Sequence, residues 1–255
     1  MTTVGIIQAR MGSSRLPGKV MLPLDSEHVL ARDIQRIAQA KTVDEVVVAT
    51  SDQKQDDIVA RYAERAGADV FRGSEQNVLS RVYEAARRAE ADIVVRLTGD
   101  CPLIDPETID TVVTTLTETG AEYAGNTVER SFPRGLDVEA FTFESFERVH
   151  EAVEKPHHRE HVTPYYHEHP DRFDLVHVTS DAVFDDPKYR NRTDLRLTLD
   201  EADDYELLRE VYENVASEDI IDVRDAIDCI DAHNLQRLNE SIEQKEVADA
   251  SGDSS

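Results

Sequence analysis

The chain has few of the residues that build disulfide frameworks, thiolate metal sites or membrane spans. Among 255 residues there is no tryptophan, and Cys101 and Cys229 are the two cysteines. Two cysteines are too few for a disulfide framework or a cysteine-rich zinc site, so we expect buried thiols in a reducing compartment. No apolar run approaches the roughly 18 residues of a membrane span, and the first residues form no apolar signal segment. We therefore expect a cytoplasmic protein without a membrane partner.

Positive charge is scarce as well. The 53 acidic residues outnumber the 28 basic ones, which gives a formal net charge of −25. Such a surface repels phosphate backbones, so we expect no nucleic-acid partner. Arginine supplies 22 of the 28 cations, a bias that resembles halophilic proteins. The alternative is an ordinary acidic protein kept soluble by self-repulsion. In either case a polyanionic ligand requires a locally basic site.

Short apolar runs alternate with longer helical patterns in the first half of the chain. The runs at 4–9, 45–50, 70–71 and 92–97 are predicted strands, followed by predicted helices at 29–40, 55–66, 77–89 and 106–118. This alternation predicts an α/β fold, in which a mostly parallel twisted sheet has helices on both faces.

The rhythm changes after residue 126. A polar stretch at 127–137 precedes a predicted strand at 138–143, a helix near 144–152 and a histidine-rich segment at 155–169. A further strand is predicted at 195–199, a helix at 205–215 and closing helices at 223–238. We expect one domain at 1–238, with 127–169 as an insertion on the acceptor or oligomer side, and a polar, disordered tail at 239–255.

A glycine-bearing, cationic loop follows the first predicted strand. Glycines permit backbone conformations that a side chain would forbid, hydroxyls and backbone N–H groups bind phosphate oxygens, and cations add charge. The loop is not a Walker A motif, because five residues separate Gly12 from Gly18 and Val20 stands where Ser or Thr is needed. It is predicted to bind a polyphosphate through Ala9, Arg10, Gly12, Ser13, Ser14, Arg15 and Lys19.

Two carboxylates follow other predicted strands. Asp100 comes after the strand at 92–97, and Asp200 comes after the strand at 195–199. Ligands of open α/β sheets bind at the carboxyl ends of the strands, so these residues and Arg10 belong to one edge. If the carboxylates converge, they suit Mg²⁺; the alternative is that each caps the helix that follows. Cations and carboxylates together indicate phosphoryl or nucleotidyl transfer.

The motifs resemble one enzyme family over residues 4–215. Residues 6–19 (IIQARMGSSRLPGK) are similar to the signature of the cytidylyltransferases that activate acidic sugars, the CMP-acylneuraminate and CMP-Kdo synthetases. Within that superfamily the chain most resembles the SpsF-like group of spore-coat polysaccharide biosynthesis. Further matches are 48–51 (VATS), 71–75 (FRGSE), 78–81 (VLSR), 97–102 (LTGDCP), 133–139 (PRGLDVE) and 159–164 (REHVTP).

The resemblance implies a GT-A-like nucleotidyltransferase that transfers CMP from CTP to a sugar acid, releases pyrophosphate and depends on Mg²⁺. It implies catalytic roles for Arg10, Lys19 and Asp100, with Asp100 and Asp200 as metal ligands. The loop would hold the triphosphate, and the base and ribose would be bound by Ser51, Gly73, Ser74 and Arg81. A homodimer is also implied, with 127–169 as the candidate contact. No motif identifies the general base or the sugar.

The segment around 134–161 is interpreted as the acceptor side. Its carboxylates would receive sugar hydroxyls and its cations would pair with a sugar carboxylate; the residues concerned are Arg134, Asp137, Glu139, Arg159 and His161. The alternative is a set of solvated loop charges. His157, His158 and His161 also suggest a metal cluster, but Lys155-Pro156 before them and the missing glutamate of a zinc-protease motif argue against it.

Two other functions stay open at the level of sequence. One is a GT-A glycosyltransferase that consumes a nucleotide sugar. The single acidic residue in Asp100-Cys101-Pro102 and the three loop cations, which suit a triphosphate, argue against this alternative. The other is a non-catalytic nucleotide-binding protein of the same fold, because fold does not determine function.

Overall fold

A computed structural model describes residues 1–243 and shows a seven-stranded sheet in the order β5-β4-β1-β6-β8-β7-β9. Its strands are β1 (Thr3–Gln8), β4 (Glu45–Ser51), β5 (Asp69–Gly73), β6 (Ile93–Thr98), β7 (Tyr123–Gly125), β8 (Glu139–Thr142) and β9 (Leu175–His177). A separate small hairpin pairs β2 (Pro23–Leu24) with β3 (Glu27–His28). β8 runs antiparallel to both of its neighbours, and the other pairings in the large sheet are parallel. The sheet is therefore mostly parallel, as the alternation predicts.

The helices connect the strands and cover both faces of the sheet. They are α1 (Val29–Ile37), α2 (Asp57–Arg65), α3 (Val78–Arg88), α4 (Pro106–Thr119), α5 (Phe143–Ala152), α6 (Pro156–His161), α7 (Pro164–Glu168), α8 (Ala202–Asn214) and α9 (Val223–His233). The start of α4 is confirmed in detail, since Thr108 N donates to the Asp105 carboxylate at 2.9 Å and Pro106 occupies the first turn. The Asp side chain accepts a hydrogen bond from a free N–H of the first turn, and proline at the first position has no N–H that needs a partner.

Successive residues of the central strands point to opposite faces and enter different cores. Ile7 of β1 packs in a cluster with residues of α1, α2 and α4, whereas Ile6 packs in a second cluster with residues of α3 and α5. Both side chains are 0% exposed. Because the central strands are buried on both faces, their sequences are continuous apolar runs, and helices on both faces follow.

The segment at 195–199 is not a strand of the sheet, which corrects the prediction from its apolar pattern. Leu195, Leu197 and Leu199 instead pack in a third cluster with α8 and α9. Their backbone pairs with two loops: Leu197 N donates to Arg134 O at 2.7 Å, and Leu199 N donates to Asp100 O at 2.8 Å. The alternating leucines are buried on one side of the segment only. Its backbone hydrogen bonds go to loops rather than to neighbouring strands.

Gly135 makes this loop pairing sterically accessible. Its φ is +100°, and a Cβ built there would lie 2.5 Å from the backbone carbon of Leu197. Residues with a side chain rarely adopt this backbone region, and here a side chain would also collide with backbone. The loop at 133–137 and the segment carrying Asp200 are therefore held together at a position that requires glycine.

The rest of the chain partly matches the predictions. Cys101 and Cys229 are free, buried cysteines, as expected. The histidine-rich segment contains the short helices α6 and α7. Asn239, the first residue of the expected tail, is 2% exposed and bonds to the fold, whereas 244–255 lie outside the described residues. No helix within residues 1–243 has the length and apolarity that crossing a bilayer requires.

Candidate active site

The cationic loop leaves the carboxyl end of β1 and is held by backbone contacts. Met11 N donates to Asp56 Oδ1 at 2.6 Å, and Gly18 N donates to Met11 O at 2.9 Å. Gly18 adopts φ +74°, a conformation that favours glycine and turns the chain into the short helical turn at Lys19–Met21. The loop thus folds back on itself and returns Lys19 to the sheet edge.

Lys19 lies between the two carboxylates singled out in the sequence. Its Nζ donates to Asp200 Oδ1 at 2.8 Å and to Asp100 Oδ2 in a shorter contact. Arg15 Nη2 also lies 2.8 Å from Asp200 Oδ1. Lys19, Asp100 and Asp200 are 13–19% exposed in their side chains. The structure therefore brings together two carboxylates separated by a hundred residues, with loop cations against them.

The charges in this group stabilise one another. Burial alone would lower the pKa of Lys19, but the two carboxylates outweigh burial and raise that pKa. Burial alone would raise the pKa of Asp100, but the Lys19 ammonium outweighs it and lowers that pKa. Lys19 is consequently charged and Asp100 ionised at neutral pH. The group can present both a cation and an anion to a ligand.

Neither carboxylate caps the helix that follows it, so the alternative considered from the sequence does not apply. Asp105 caps α4, five residues after Asp100. The cap position of α8 is Glu201, and its first turn is closed by Asp204. Asp100 and Asp200 therefore face the cleft without serving either helix end.

Asp204 and Arg196 hold Asp200 in position. Asp204 is 0% exposed, and its Oδ2 accepts hydrogen bonds from the backbone N–H groups of Asp200 at 2.9 Å and Glu201 at 3.0 Å. Arg196 Nε donates to Asp204 Oδ1 at 2.8 Å, and Arg196 Nη2 donates to Asp200 Oδ2 at 2.9 Å. A buried ion pair thus fixes both the backbone and the side chain of Asp200.

The loop between β5 and α3 lies beside the cationic loop. Arg10 Nη1 donates to Glu75 O at 3.4 Å, and Arg81 Nη1 donates to Ser74 O at 2.7 Å. Arg81 is 2% exposed, and its Nε has no hydrogen-bond partner within residues 1–243. Burial, assisted by the nearby Arg10, lowers the pKa of Arg81 to about 10. The predicted base-pocket residues Ser74 and Arg81 therefore adjoin the predicted triphosphate residue Arg10.

Ser51 and Gly73 end the adjacent strands β4 and β5 at the same sheet edge. The Ser51 hydroxyl donates to Asp56 Oδ2, and Asp56 is the residue that also anchors Met11 N. A Cβ at Gly73 would lie 3.3 Å from Arg81 Cγ, so glycine leaves room for the arginine. Ser51 is tied to the base of the loop, and Gly73 borders the buried arginine.

Glu139 is buried within the protein, which argues against the sugar contact predicted for it. It is 4% exposed and accepts hydrogen bonds from Arg96 Nη1 at 2.8 Å, the Tyr123 hydroxyl at 2.7 Å and the Thr163 hydroxyl at 3.1 Å. Burial alone would raise the pKa of Glu139, but the nearby His167 and the charge of Arg96 lower it to about 2. Its carboxylate therefore joins β6, β7, β8 and the segment before α7.

The other predicted acceptor residues lie in three different settings. Asp137 forms a two-point ion pair with Arg130 at 2.7 and 3.2 Å. Arg134 is half-buried, and burial, with the nearby Arg130, lowers its pKa, while Asp137 and Asp200 act in the opposite direction. Arg159 is exposed on α6. His161 is partly buried on the same helix. Its burial and the positive charge of the nearby Arg96 lower its pKa.

A cavity of about 230 Å³ lies between the cationic loop and the two carboxylates. Its lining includes Arg10, Gly12, Ser13, Ser14, Arg15, Lys19, Asp100 and Asp200. A larger cavity, about 810 Å³, lies between α1, α2 and the chain after α8. Facing cations and carboxylates are the groups that phosphoryl chemistry needs, so the smaller cavity is the candidate site despite its size.

Four supporting residues were not predicted from the sequence: Asp56, Arg96, Arg196 and Asp204. A signal was present for Asp204, because Glu201-x-x-Asp204 has the spacing of a capping box, and the structure contains that box. No comparable local signal marks the other three. Asp56 and Arg96 bond to distant residues, Met11 and Glu139, whereas Arg196 pairs with Asp200 and Asp204, four and eight residues further along the chain.

The chain matches a known protein family and several known proteins. A family model described as cytidylyltransferase matches residues 4–223. The spore coat polysaccharide biosynthesis protein SpsF of Bacillus subtilis is 36% identical over 215 residues, covering 82% of this chain and 85% of that protein. A 3-deoxy-manno-octulosonate cytidylyltransferase of Anaeromyxobacter sp. is 42% identical over 122 residues, covering 47% of this chain and 48% of that protein.

A solved structure extends the comparison to the fold. The structure of a cytidylyltransferase from Leptospira borgpetersenii serovar Hardjo-bovis superposes with a TM-score of 0.86 at 35% identity, covering 96% of this chain and all of that one. The resemblance found in the motifs therefore holds for the whole fold. It favours nucleotidyl transfer over the glycosyltransferase alternative.

Proposed function

The chain belongs to the cytidylyltransferase family, and on that basis we propose that it transfers CMP from CTP to a sugar acid and releases pyrophosphate. The product would be an activated sugar for surface polysaccharide synthesis. Two similar proteins support this proposal by their names, one a spore coat polysaccharide biosynthesis protein and the other a 3-deoxy-manno-octulosonate cytidylyltransferase.

One observation supports this chemistry most directly, the position of Lys19 between Asp100 and Asp200. The ammonium already occupies a place where a cation contacts one oxygen of each carboxylate. Two carboxylates with room for water and phosphate oxygens are the ligands that Mg²⁺ takes in nucleotide sites, so these residues fit that ion. We propose that Asp100 and Asp200 hold Mg²⁺, which when bound supplies positive charge beside the phosphates.

The loop cations would then bind the triphosphate. Lys19 and Arg15, released from Asp200, can contact phosphate oxygens, and Arg10 stands at the other end of the loop beside the proposed base pocket. The backbone around Gly12, Ser13 and Ser14 adds N–H groups. In this exchange Lys19 and Arg15 would pair with the phosphates, and the two carboxylates would be compensated by the proposed Mg²⁺.

In the proposed reaction, a sugar hydroxyl attacks the α-phosphorus of CTP and loses its proton to solvent, the bond from the α-phosphorus to the α,β-bridging oxygen breaks, and pyrophosphate leaves in line. Negative charge grows on the departing oxygens, and the preorganised cations Arg10, Arg15 and Lys19 stabilise it. Arg134, which lies near Asp200 and Asp137, would pair with the sugar carboxylate. Asp137, Arg159 and His161 remain predicted acceptor contacts, and the homodimer through 127–169 remains a prediction.

The test is pyrophosphate release with each of the four nucleoside triphosphates, Mg²⁺ and a panel of sugar acids. We expect release that requires both CTP and one sugar acid. Release with a different triphosphate would refute the choice of base, and release with neutral sugars alone would refute the acceptor class. Tight CTP binding without release for any sugar would indicate the non-catalytic alternative.

A further inference from the structure

Outside the proposed active site, His157, His158 and Glu168 bring three ligand atoms within 4.8 Å of one another. His157 Nε2 lies 2.7 Å from Glu168 Oε1, and His158 Nε2 lies 2.9 Å from Glu168 Oε2. Each imidazole therefore contacts a different oxygen of one carboxylate. The two Nε2 atoms contact the same carboxylate from adjacent residues, and the centroids of the two imidazole rings are 4.0 Å apart.

The fold builds this cluster from the two short helices of the histidine-rich segment. His157 and His158 stand at the start of α6 after Pro156, and Glu168 is the last residue of α7. The His158 side chain is 2% exposed, that of His157 is 18% exposed and that of Glu168 is 36% exposed. The cluster is thus partly enclosed by protein and open on the carboxylate side.

We propose that His157, His158 and Glu168 bind a divalent transition-metal ion of borderline softness, namely Zn²⁺. Two imidazole nitrogens and a carboxylate form a common zinc ligand set, with a fourth position for water. Hard ions such as Mg²⁺ prefer oxygen ligands, so this site and the Asp100–Asp200 pair select different metals. The proposal does not depend on the proposed nucleotidyl transfer.

The structure corrects the ligand set that the sequence suggested. The sequence grouped His157 and His158 with His161, whereas in the structure the third ligand atom beside these two imidazoles belongs to Glu168. In the sequence, the missing glutamate of a protease motif counted against a metal. Glu168 supplies a carboxylate from the next helix, which no short motif could reveal.

Lys155 competes with a metal ion at this site. Its Nζ lies 3.3 Å from Glu168 Oε2, where it neutralises the carboxylate that the ion would use. Both groups are well exposed, at 56% and 36% of their side chains, so solvent screens their interaction and the pair is weak. Removing the lysine charge should therefore strengthen metal binding, an effect opposite to that of removing a ligand.

The site would clamp α6 to α7. Between these helices lies Thr163, whose hydroxyl contacts the buried Glu139, and α6 carries the predicted acceptor residues Arg159 and His161. An ion bound to both helices would stabilise this segment without taking part in phosphoryl transfer. Its effect should consequently be seen in metal affinity and thermal stability.

The experiment titrates ZnCl₂ into the tag-free full-length protein by calorimetry, with MgCl₂ present in millimolar excess to occupy the Asp100–Asp200 pair. We expect one zinc ion per chain. At zinc 100-fold above its dissociation constant, the melting temperature should rise by about 5 to 10 °C. Co²⁺ should give the intensified visible absorption of a four-coordinate ion with nitrogen ligands.

Substitutions distinguish this cluster from two other places where zinc could bind the chain. H157Q and E168Q should each lower zinc affinity at least about tenfold, whereas K155A should raise it about two- to fivefold. H161Q tests the third histidine of the group considered from the sequence. C229S tests the Cys229–His233 pair, whose Sγ and Nδ1 are 3.6 Å apart. Both variants should bind zinc like wild type. Absence of zinc binding, wild-type affinity in H157Q and E168Q, or loss of binding in C229S or H161Q instead would overturn the proposal.

Discussion

Replacing Asp204 with asparagine should destabilise the whole region around Asp200. Asp204 is 0% exposed and accepts hydrogen bonds from the backbone of Asp200 and Glu201, from Arg196 at 2.8 Å and from Asn239 at 3.0 Å. Asparagine keeps the shape but removes the charge, and its amide group places N–H donors where acceptors are needed.

The cost follows from the buried ion pair. Removing one partner of such a pair costs about 3–5 kcal/mol, because the remaining charge is left uncompensated. Arg196 still contacts Asp200 at 2.9 Å, so we expect the lower end of the range, about 3 kcal/mol. For a domain of this size each kcal/mol lowers the melting temperature by about 2–4 °C, so D204N should melt roughly 6–12 °C below wild type.

Urea unfolding and thermal melts at neutral pH measure this difference, with D203N as the matched control. Asp203 is the exposed neighbour on the same helix, and its variant should lie within about 0.5 kcal/mol of wild type. At a temperature where D204N is folded, turnover should fall, since Asp200 loses its anchor. A D204N protein within 1 kcal/mol of wild type, as judged against the roughly 3 kcal/mol expected, would refute this reasoning.

Further predictions concern the site and the surface. K19A should lower turnover at least about 10²-fold in the pyrophosphate assay, because an electrostatic stabiliser is lost; unchanged turnover would contradict the role of Lys19. R81Q should weaken nucleotide binding, measured by calorimetry, more than R87Q on the exposed face of the same helix. The pKa of Glu139 lies near 2 in the fold, below its ordinary 4.5. The folding stability that ionised Glu139 contributes is therefore fully present above pH 4.5 and is lost as the pH falls toward 2. Wild type should therefore lose roughly 3 kcal/mol more than E139Q across that window in acid titrations of stability. Finally, the melting temperature should keep rising with KCl above about 1 M, where the Debye length is about 3 Å and screening is nearly complete; no rise in that range would exclude a halophilic surface.

The alternation of apolar runs was sufficient to predict β1, β4, β5 and β6, which pair in parallel. Each predicted strand from 4–9 to 92–97 corresponds to an observed strand. β1, β4 and β6 are mostly buried and therefore need continuous apolar runs, whereas β5 is a part-exposed edge strand. The prediction of a further sheet strand from the apolar alternation at 195–199 was wrong. That alternation reports only that one side is buried, and the leucines are buried against helices rather than in the sheet.

The candidate site also has one part that the sequence predicts well and one part that it predicts poorly. Glycines, hydroxyls and cations adjacent in the chain identified the loop from Arg10 to Lys19, since phosphate binding by a loop is a local property. The acceptor side was harder to predict, because charges on a loop have no periodicity that tells paired groups from free ones. Glu139 illustrates this difficulty: its hydrogen-bonding partners include Arg96 of β6, Tyr123 of β7 and Thr163 before α7.

Local sequence was enough to establish the order of most strands and helices, the cationic loop and the family. These depend on local periodicity, glycine conformations and contiguous motifs. The three-dimensional arrangement was needed to show that Lys19 lies between Asp100 and Asp200, that Asp204 and Arg196 hold Asp200, and that His157 and His158 meet Glu168. Lys19, Asp100 and Asp200 come from distant parts of the chain, and the nearer groups of the other two arrangements are brought together by the fold of the segment between them.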